Sequence, residues 1–317
     1  MRKGLILFSI FSFNIFLVQL TYGQFRNSYW KQSRKEIFIG AGASNFLGEP
    51  GGRDQIGTDF VQDLEISETK YAIEVGYRYF LLRDLALKTS IYHGMVSGDD
   101  ALTKEPGRNN RNISFRTPIY ELSTMLEYHV VHEKEGSRYK IRGAKGQASF
   151  VIGVHPFIGI GITYFQPQGQ YIDGSWHNLK PLNTEGQNLE GGSEPYNLYT
   201  VVIPVGLGLR YSLNGQMKIG LEMGVRKTFS DYIDDTGGAY YDNATLLAEN
   251  GPISAHFADP SLGRVNTDGN GNIGAGEIRG DSKDKDAYMF AVVSLNYKLS
   301  RRRGFRRIKK RGSVPSF

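Results

Sequence analysis

The chain has 317 residues, with 38 Lys and Arg against 32 Asp and Glu, and it contains no Cys. The absence of Cys excludes a disulfide framework, thiolate chemistry and a lipid anchor attached to Cys. Gly is nearly twice as frequent as usual, and 19 Tyr and 18 Phe accompany it. The length suits one large all-β domain or two ordinary domains.

The N-terminus has the organisation of a secretory signal peptide. Two basic residues, Arg2 and Lys3, precede an apolar run over 4–20 and small residues near Gly23. The run is shorter than the roughly 20 residues of a spanning helix, which disfavours a retained anchor. The sequence therefore predicts a signal peptide at 1–23, a β-barrel over 24–300 and a basic periplasmic tail at 301–317.

From Tyr71 onwards, segments of about ten residues alternate apolar with small or charged side chains. Side chains of a strand point to opposite faces with a period of two, so each segment has one apolar face. The opposite face carries Gly, Glu and Arg, which is typical of the lumen of a membrane barrel. The eight predicted strands are Glu36–Asn45, Tyr71–Leu81, Leu85–Val96, Ile119–Val131, Phe150–Tyr164, Thr200–Tyr211, Met217–Phe229 and Ala287–Leu299.

These segments predict an all-β fold, an eight-stranded antiparallel transmembrane β-barrel, because an even number of strands closes without an unpaired edge in lipid. Short links near 82–84 and 213–215, and a longer polar and basic link over 133–149, alternate with four long links, as periplasmic turns alternate with extracellular loops. Gly215 is expected in a left-handed conformation in its turn. The alternative is a soluble β-sandwich, which gives no reason for this sorting of loop lengths. The predicted location is the outer membrane.

Eight inward positions carry charges of both signs. A barrel of eight strands is just wide enough for side chains to fill it, so we expect a paired network that plugs the lumen. A narrow ion path lined by the same residues is the alternative. The predicted lumen charge network consists of Glu74, Arg78, Lys88, Glu121, Glu127, Arg210, Glu222 and Arg226.

No catalytic, cofactor-binding or metal-binding site is predicted. His93 falls on the outward face, His129 and His155 fall on the inward face, and none stands in a recognisable signature with Ser or Asp. The string 268–272 resembles the start of a calcium loop. However, Ile273 stands where that motif needs Gly, and Arg279 stands where it needs Glu. A Gly/Asn-rich turn is the preferred interpretation, although Glu277 leaves a non-standard site open.

The C-terminal segment is strongly basic. It is interpreted either as a solvated tail or as a docking segment for an acidic periplasmic partner or for anionic groups at the membrane face. Nucleic acid is not an expected partner in that compartment. The predicted partner-binding residues of the tail are Arg301, Arg302, Arg303, Arg306, Arg307, Lys309, Lys310 and Arg311.

Six strings, taken in order, resemble the PorG-like outer-membrane barrel family of Bacteroidetes, whose namesake belongs to the type IX secretion system that also serves gliding motility. The resemblance covers roughly 36–299. The strings are Ala43–Gly48, Gly94–Asp100, Gly159–Pro167, Leu179–Gln187, Ile203–Gly208 and Glu222–Asp235.

The resemblance implies a non-enzymatic barrel that contacts the periplasmic ring of a secretion machine. The expected partners are outer-membrane lipid and periplasmic secretion-ring proteins, without a small-molecule substrate. The alternative function is that of a surface-binding or adhesion barrel, OmpA-like, which uses its long extracellular loops. A third hypothesis, an enzyme acting on lipid or peptide, would depend on His129 or His155.

Overall fold

The computed structural model describes residues 33–48, 66–103, 105–133, 152–264, 273–280 and 285–299. The predicted signal peptide, the basic tail and the string 268–272 lie outside these residues. The strands are β1 (Lys35–Leu47), β2 (Lys70–Phe80), β3 (Leu85–Asp99), β4 (Ser114–Tyr128), β5 (Gly153–Phe165), β6 (Gln168–Gln170), β7 (Trp176–Asn178), β8 (Tyr199–Ser212), β9 (Met217–Thr228) and β10 (Ala287–Lys298).

Eight of these strands form a closed antiparallel barrel. Each pairs with its neighbours in the order β3, β2, β1, β10, β9, β8, β5 and β4, and a β3–β4 ladder closes the ring. The first and last strands meet along the seam from Glu36 with Lys298 to Leu47 with Ala287. The short strands β6 and β7 form a hairpin that pairs with β4 above the barrel. The prediction of a closed eight-stranded barrel is therefore confirmed.

The two faces of each strand differ as the sequence alternation predicts. On β5, the side chains of Ile158, Ile160 and Ile162 are exposed on the outside, whereas those of Phe157 and Thr163 are buried inside. An apolar outer surface around a buried polar interior is the reverse of a water-soluble protein core. This inversion places the charged residues in the middle of the molecule.

The predicted strand boundaries fail mainly at the hairpin of β3 and β4. These strands were expected to end at Val96 and to begin at Ile119, but pairing continues up to Asp99 with Ser114. Part of the long loop expected between these two strands is therefore paired β-strand. The first residue predicted for β5, Phe150, lies outside the described residues.

The two described short connections contain four residues each, 81–84 and 213–216. The expectation of a left-handed Gly215 is wrong, since its φ is not positive. The side-chain oxygen of Asn214 instead accepts the backbone N–H groups of Gln216 and Met217, both at 2.8 Å. This Asx turn closes the connection without a left-handed residue.

The connections 48–69, 100–113, 166–198 and 229–286, here called the long connections, leave the opposite end of the barrel, the long-loop end. The connection 129–152, of which 134–151 lie outside the described residues, leaves the same end as the two short turns, here called the short-turn end. The described residues of the long connections form α1 (Pro106–Arg111), α2 (Asn243–Asn250) and α3 (Pro252–Ala258), together with three short 3₁₀ turns. The Asp242 carboxylate caps α2 by accepting the N–H of Thr245 at 2.8 Å. Among the described residues, no helix is long and apolar enough to cross a membrane.

An aromatic layer separates the charged lumen from the long-loop end. Its buried side chains include Tyr92, Phe165, Tyr288 and Phe290, and Ile233 from the β9–β10 connection packs against them. The Tyr92 and Phe290 rings are stacked with centroids 5.2 Å apart. The space between these rings and their neighbours has no room for a water molecule. The interior is therefore filled by side chains at this level.

Gly206 on β8 tests how tightly this interior is packed. A Cβ atom there would lie 2.2 Å from the Met223 carbonyl oxygen and 2.6 Å from the Gly224 Cα, both of them backbone atoms. We expect Gly206→Ala to destabilise the barrel by about 1–3 kcal/mol, as overpacking does. The measurement is the midpoint at which the compact, fast-migrating form on unboiled gels is lost on heating.

Gly215→Ala is the matched control, because a Cβ atom at Gly215 has no neighbouring atom within 4 Å. It should unfold at the temperature of the unsubstituted protein. Equal midpoints for the two variants would contradict the close contact of β8 with β9.

Candidate functional site

Arg78 on β2 is the centre of the charged lumen, and its side chain is fully buried. Its Nε and Nη2 atoms donate to the two carboxylate oxygens of Glu127 at 2.6 and 3.0 Å. Nη2 also donates to Glu222 Oε1 at 2.8 Å, while Nη1 donates to Asn296 Oδ1 at 2.6 Å and to Glu36 Oε2 at 3.4 Å. One guanidinium therefore joins side chains of five strands.

Lys88 on β3 forms the second branch of this network. Its Nζ atom lies 2.6 Å from Glu74 Oε1, forms an ion pair with Glu222 and donates to the Tyr92 hydroxyl at 3.3 Å. The Ser90 hydroxyl donates to the same Glu74 oxygen at 2.9 Å. Since both carboxylates contact an ammonium group, the charges of this branch are compensated within the lumen.

The short-turn end of the lumen holds a third group of charges. Glu36 pairs with Arg210 and lies 3.0 Å from Lys218 Nζ, which also contacts Glu133. Sequence reasoning missed Glu36, Lys218 and Glu133. The available signal was the alternation of β1, which places Glu36 on the same face as the buried Phe38.

Towards the long-loop end, Arg226 and Glu121 form a separate pair within the aromatic layer. The Arg226 Nε atom lies 3.5 Å from Glu121 Oε2, and its Nη1 atom donates to the Gly224 carbonyl at 2.6 Å. The Tyr288 hydroxyl donates to Glu121 at 2.8 Å and lies 2.6 Å from Thr163 Oγ1. All eight predicted lumen residues are thus inside the barrel, six of them connected through Arg78, Glu36 and Lys88.

One group of lumen residues has the composition of a metal site: Glu127, His155 and Glu222. His155 Nε2 lies 3.9 Å from Glu127 Oε1 and 3.8 Å from Glu222 Oε1. Arg78 Nη2 donates to these same two oxygens at 3.0 and 2.8 Å. The Arg78 guanidinium therefore occupies the position between the two carboxylates that a metal ion would need. These residues fit the guanidinium of the protein's own Arg78 and do not fit a metal ion.

The histidines divide as the alternation predicts: His93 lies on the outer face, and His129 and His155 are stacked inside with centroids 4.7 Å apart. Within the described ranges, the structure brings Ser175 close to His177, which the sequence did not indicate. Ser175 Oγ lies 2.8 Å from His177 Nε2 and 2.5 Å from Asp173 Oδ1. Because the Ser175 backbone N–H also donates to Asp173, the carboxylate organises a turn.

At the long-loop end, two of the strings noted in the sequence meet in a buried polar cluster, here called the latch: Thr184, Glu185, Tyr196, Asp235 and Arg279. Asp235 accepts hydrogen bonds from the Thr184 hydroxyl at 2.5 Å and from the Tyr196 hydroxyl at 2.6 Å. Arg279 Nη1 donates to Glu185 Oε1 at 3.0 Å and to the Asp235 carbonyl at 2.5 Å.

Burial raises the pKa of Asp235 to about 6, although Arg279 and the two hydroxyl donors lower it. The backbone of Asp235 is left-handed, with φ of 66°. A buried carboxylate on such a backbone persists only where surrounding contacts determine its position. The latch therefore holds the β5–β8 and β9–β10 connections in one arrangement.

Below the latch, Ile233 closes the mouth of the barrel. Its backbone N–H donates to Asp286 Oδ2 at 2.9 Å, and its carbonyl accepts the Thr117 hydroxyl at 2.6 Å. The side chain is fully buried in the aromatic layer. The backbone of Ile233 is thus bound on one side to Thr117 on β4 and on the other to Asp286, the residue directly before β10.

We expect Arg78→Met to destabilise the folded barrel by about 3–5 kcal/mol, because it leaves the buried carboxylates of Glu127 and Glu222 without their cation. Arg83→Met is the matched control, since Arg83 is exposed in the 81–84 turn. Urea unfolding in detergent, followed by the loss of the compact form on unboiled gels, measures the difference. A loss below about 1 kcal/mol, typical of a solvated pair, would contradict the lumen network.

Solved structures similar to this chain include three bacterial surface barrels, each covered almost completely. The chain matches Neisserial surface protein A (NspA) at 8% identity with a TM-score of 0.36, covering 84% of this chain and 98% of that one. It matches Ail, the attachment invasion locus protein of Yersinia pestis, at 9% identity with a TM-score of 0.36, covering 84% and 99%. OprG from Pseudomonas aeruginosa matches at 8% identity with a TM-score of 0.32, covering 85% and 98%.

No curated protein sequence matches the chain. A family described as a domain of unknown function, DUF6089, matches residues 14–249. This range includes the first three long connections, the strands β1 to β9 and the latch residues up to Asp235. Because the match extends over more than half of the 317 residues, the chain belongs to the DUF6089 family.

Proposed function

We propose that this chain is a non-enzymatic outer-membrane barrel that acts as a structural and interaction component. The observation that supports this proposal most strongly is the distribution of side chains in the barrel: exposed apolar side chains surround a lumen of paired charges. Contact of such an apolar surface with water is unfavourable, whereas contact with lipid hydrocarbon is not. The filled lumen favours an anchor over a channel.

A row of rings on the outer wall supports a membrane boundary near the long-loop end. It crosses five neighbouring strands through Tyr71, His93, Tyr120, Tyr164 and Tyr199. Successive ring centroids are 5.6, 4.4, 6.3 and 4.9 Å apart. Aromatic girdles of this kind lie at the interface of transmembrane barrels.

His93 is compatible with this boundary because its two nitrogens have partners in the protein. Nδ1 lies 3.2 Å from the Ile119 carbonyl, which only accepts, so Nδ1 carries the proton. Nε2 lies 3.1 Å from the Tyr71 hydroxyl. The ring stacks on Tyr120.

Exposed tyrosines also mark the short-turn end, among them Tyr77, Tyr128, Tyr211 and Tyr297. On β4, eight residues separate Tyr120 from Tyr128, about 26 Å of strand at ~3.3 Å per residue. A strand tilt of about 40° reduces this to about 20 Å along the barrel axis, close to the apolar band of ~25 Å in outer-membrane barrels.

The membrane proposal predicts that Ile160→Arg destabilises the barrel folded in phospholipid vesicles by about 2–4 kcal/mol, because Ile160 lies in the middle of the apolar band. Ile172→Arg is the matched control. Ile172 is also strongly exposed, but it lies in the β6–β7 hairpin beyond the tyrosine row. A similar small effect at both positions would place water around the whole barrel and overturn the proposal.

The finer proposal is a role in a secretion assembly of the PorG-like kind, with periplasmic ring proteins as partners. It is supported by the sequence resemblance and by the closed lumen, which suits an anchor. The cleaved signal peptide and the basic tail belong to this proposal as sequence-based predictions. Under it, the tail and the turns of the short-turn end are the contact surfaces.

Replacing the eight basic residues of 301–311 by Gln tests this role while keeping the chain length. The expected result is an intact barrel that no longer co-purifies with its periplasmic partners, together with reduced secretion, because the electrostatic attraction is removed. The control is replacement by Gln of the exposed Arg264, which lies at the long-loop end, in the same strain.

Unchanged co-purification would remove the tail from the mechanism.

A second function, surface binding through the long-loop end, is favoured by the exposed Ile172, Leu247 and Ile278. It requires that substitution of these three by Ser abolishes surface attachment while secretion remains normal.

A further inference from the structure

Above the tyrosine row, the outer wall changes from aromatic to polar at one position. Arg116 on β4 faces outwards in the same column as Pro118 and Tyr120. It pairs in register with Gln168 on β6, which in turn pairs with Asn178 on β7. Three polar side chains therefore cross the wall where the β6–β7 hairpin joins the barrel.

The Arg116 guanidinium is held by two contacts that leave its outer edge available. Its Nε atom donates to Gln168 Oε1 at 3.0 Å, and Gln168 Nε2 donates to Asn178 Oδ1 at 2.9 Å. The guanidinium carbon lies 3.7 Å from the centroid of the Trp176 ring. These contacts fix the plane of the guanidinium before any ligand arrives.

The charge of Arg116 is not compensated by the part of the chain that the structure describes. Its two terminal nitrogens donate to no described residue, and no described carboxylate forms an ion pair with it. The nearby Glu68 is bound by Lys70 at 3.3 Å and by the Ser97 hydroxyl at 2.5 Å. A pre-oriented arginine fork with free donors matches the oxygens of a phosphate group.

The height of Arg116 indicates the source of that phosphate. It lies four residues beyond Tyr120, about 13 Å along the strand and about 10 Å along the axis at a tilt of ~40°. The headgroup layer extends about 5–8 Å beyond the hydrocarbon on each side, so Arg116 lies at the outer edge of that layer. Trp176, which is partly exposed beside the fork, adds an apolar surface at the same height.

We propose that Arg116 and Trp176 form a binding site for the phosphate of an anionic lipid headgroup in the leaflet around the long-loop end. This inference rests on the proposed membrane location. The arginine fork binds the phosphate oxygens, Gln168 keeps the fork in place, and the Trp176 ring contacts the adjoining glycerol or sugar of the lipid.

The test uses the full chain in a nonionic detergent and two lipids that differ only in the phosphate, dioleoyl phosphatidic acid and dioleoylglycerol. Native mass spectrometry measures the apparent Kd of the first bound lipid for the unsubstituted protein, for Arg116→Gln and for Arg116→Lys. Arg83→Gln, at the opposite end of the barrel, is the matched control.

We expect Arg116→Gln to weaken the binding of phosphatidic acid roughly tenfold or more and to leave dioleoylglycerol unchanged, because only the phosphate accepts from the fork. Arg116→Lys should restore part of the affinity, since an ammonium group keeps the charge but not the fork. Arg83→Gln should bind both lipids as the unsubstituted protein does. The compact form on unboiled gels shows that every variant is folded.

Equal binding of phosphatidic acid by Arg116→Gln and the unsubstituted protein would overturn the inference. Inorganic phosphate that displaces the lipid at equal concentration would also overturn it, because the site would then select a soluble anion. Insertion into nanodiscs separates the two proposals. A chain that does not insert refutes the membrane location, whereas one that inserts without any dependence on Arg116 refutes only the lipid site.

Discussion

The requirement to compensate buried charge inside a sealed cylinder governs this structure. Arg78 satisfies it at the centre by binding Glu127, Glu222, Glu36 and Asn296, each on a different strand. Breaking such a group costs more than forming it returns, because an uncompensated charge in a low-dielectric interior is expensive. The network therefore fixes which strands face each other across the lumen, in addition to the backbone ladders that fix which strands are adjacent.

The same requirement reappears outside the barrel, in the latch. There Arg279 is enclosed by Glu185 and Asp235, which come from different connections. The two connections are tied to each other and, through Ile233, to the barrel mouth. A long-loop end organised in this way presents a defined surface, on which the β6–β7 hairpin and Arg116 hold fixed positions. Scaffolding and surface binding both benefit from such order, since little conformational entropy remains to be lost on association.

The strands and the inward charges were predictable because a strand repeats every two residues, and this period is visible in a single sequence. Glu36 escaped prediction because β1 is rich in Gly and Ala, which weakens the alternation. The latch was not predictable, since Thr184 and Asp235 are 51 residues apart and no periodicity connects them. Arg279 was recognised only as a misfit to a calcium loop, although it is the cation of the latch. Arg116 was not singled out, because its significance depends on the hairpin that brings Trp176 over it.

The seam between β1 and β10 also constrains how the molecule is assembled. These strands lie at opposite ends of the described chain, yet they pair over twelve residues and both contribute partners to Arg78. Until the last strand arrives, Arg78 lacks its partner Asn296, and two strand edges are open. Closing so long a loop is entropically unfavourable and slow. The barrel therefore closes only after all eight of its strands are present. Until then, the charged side chains of the lumen remain hydrated.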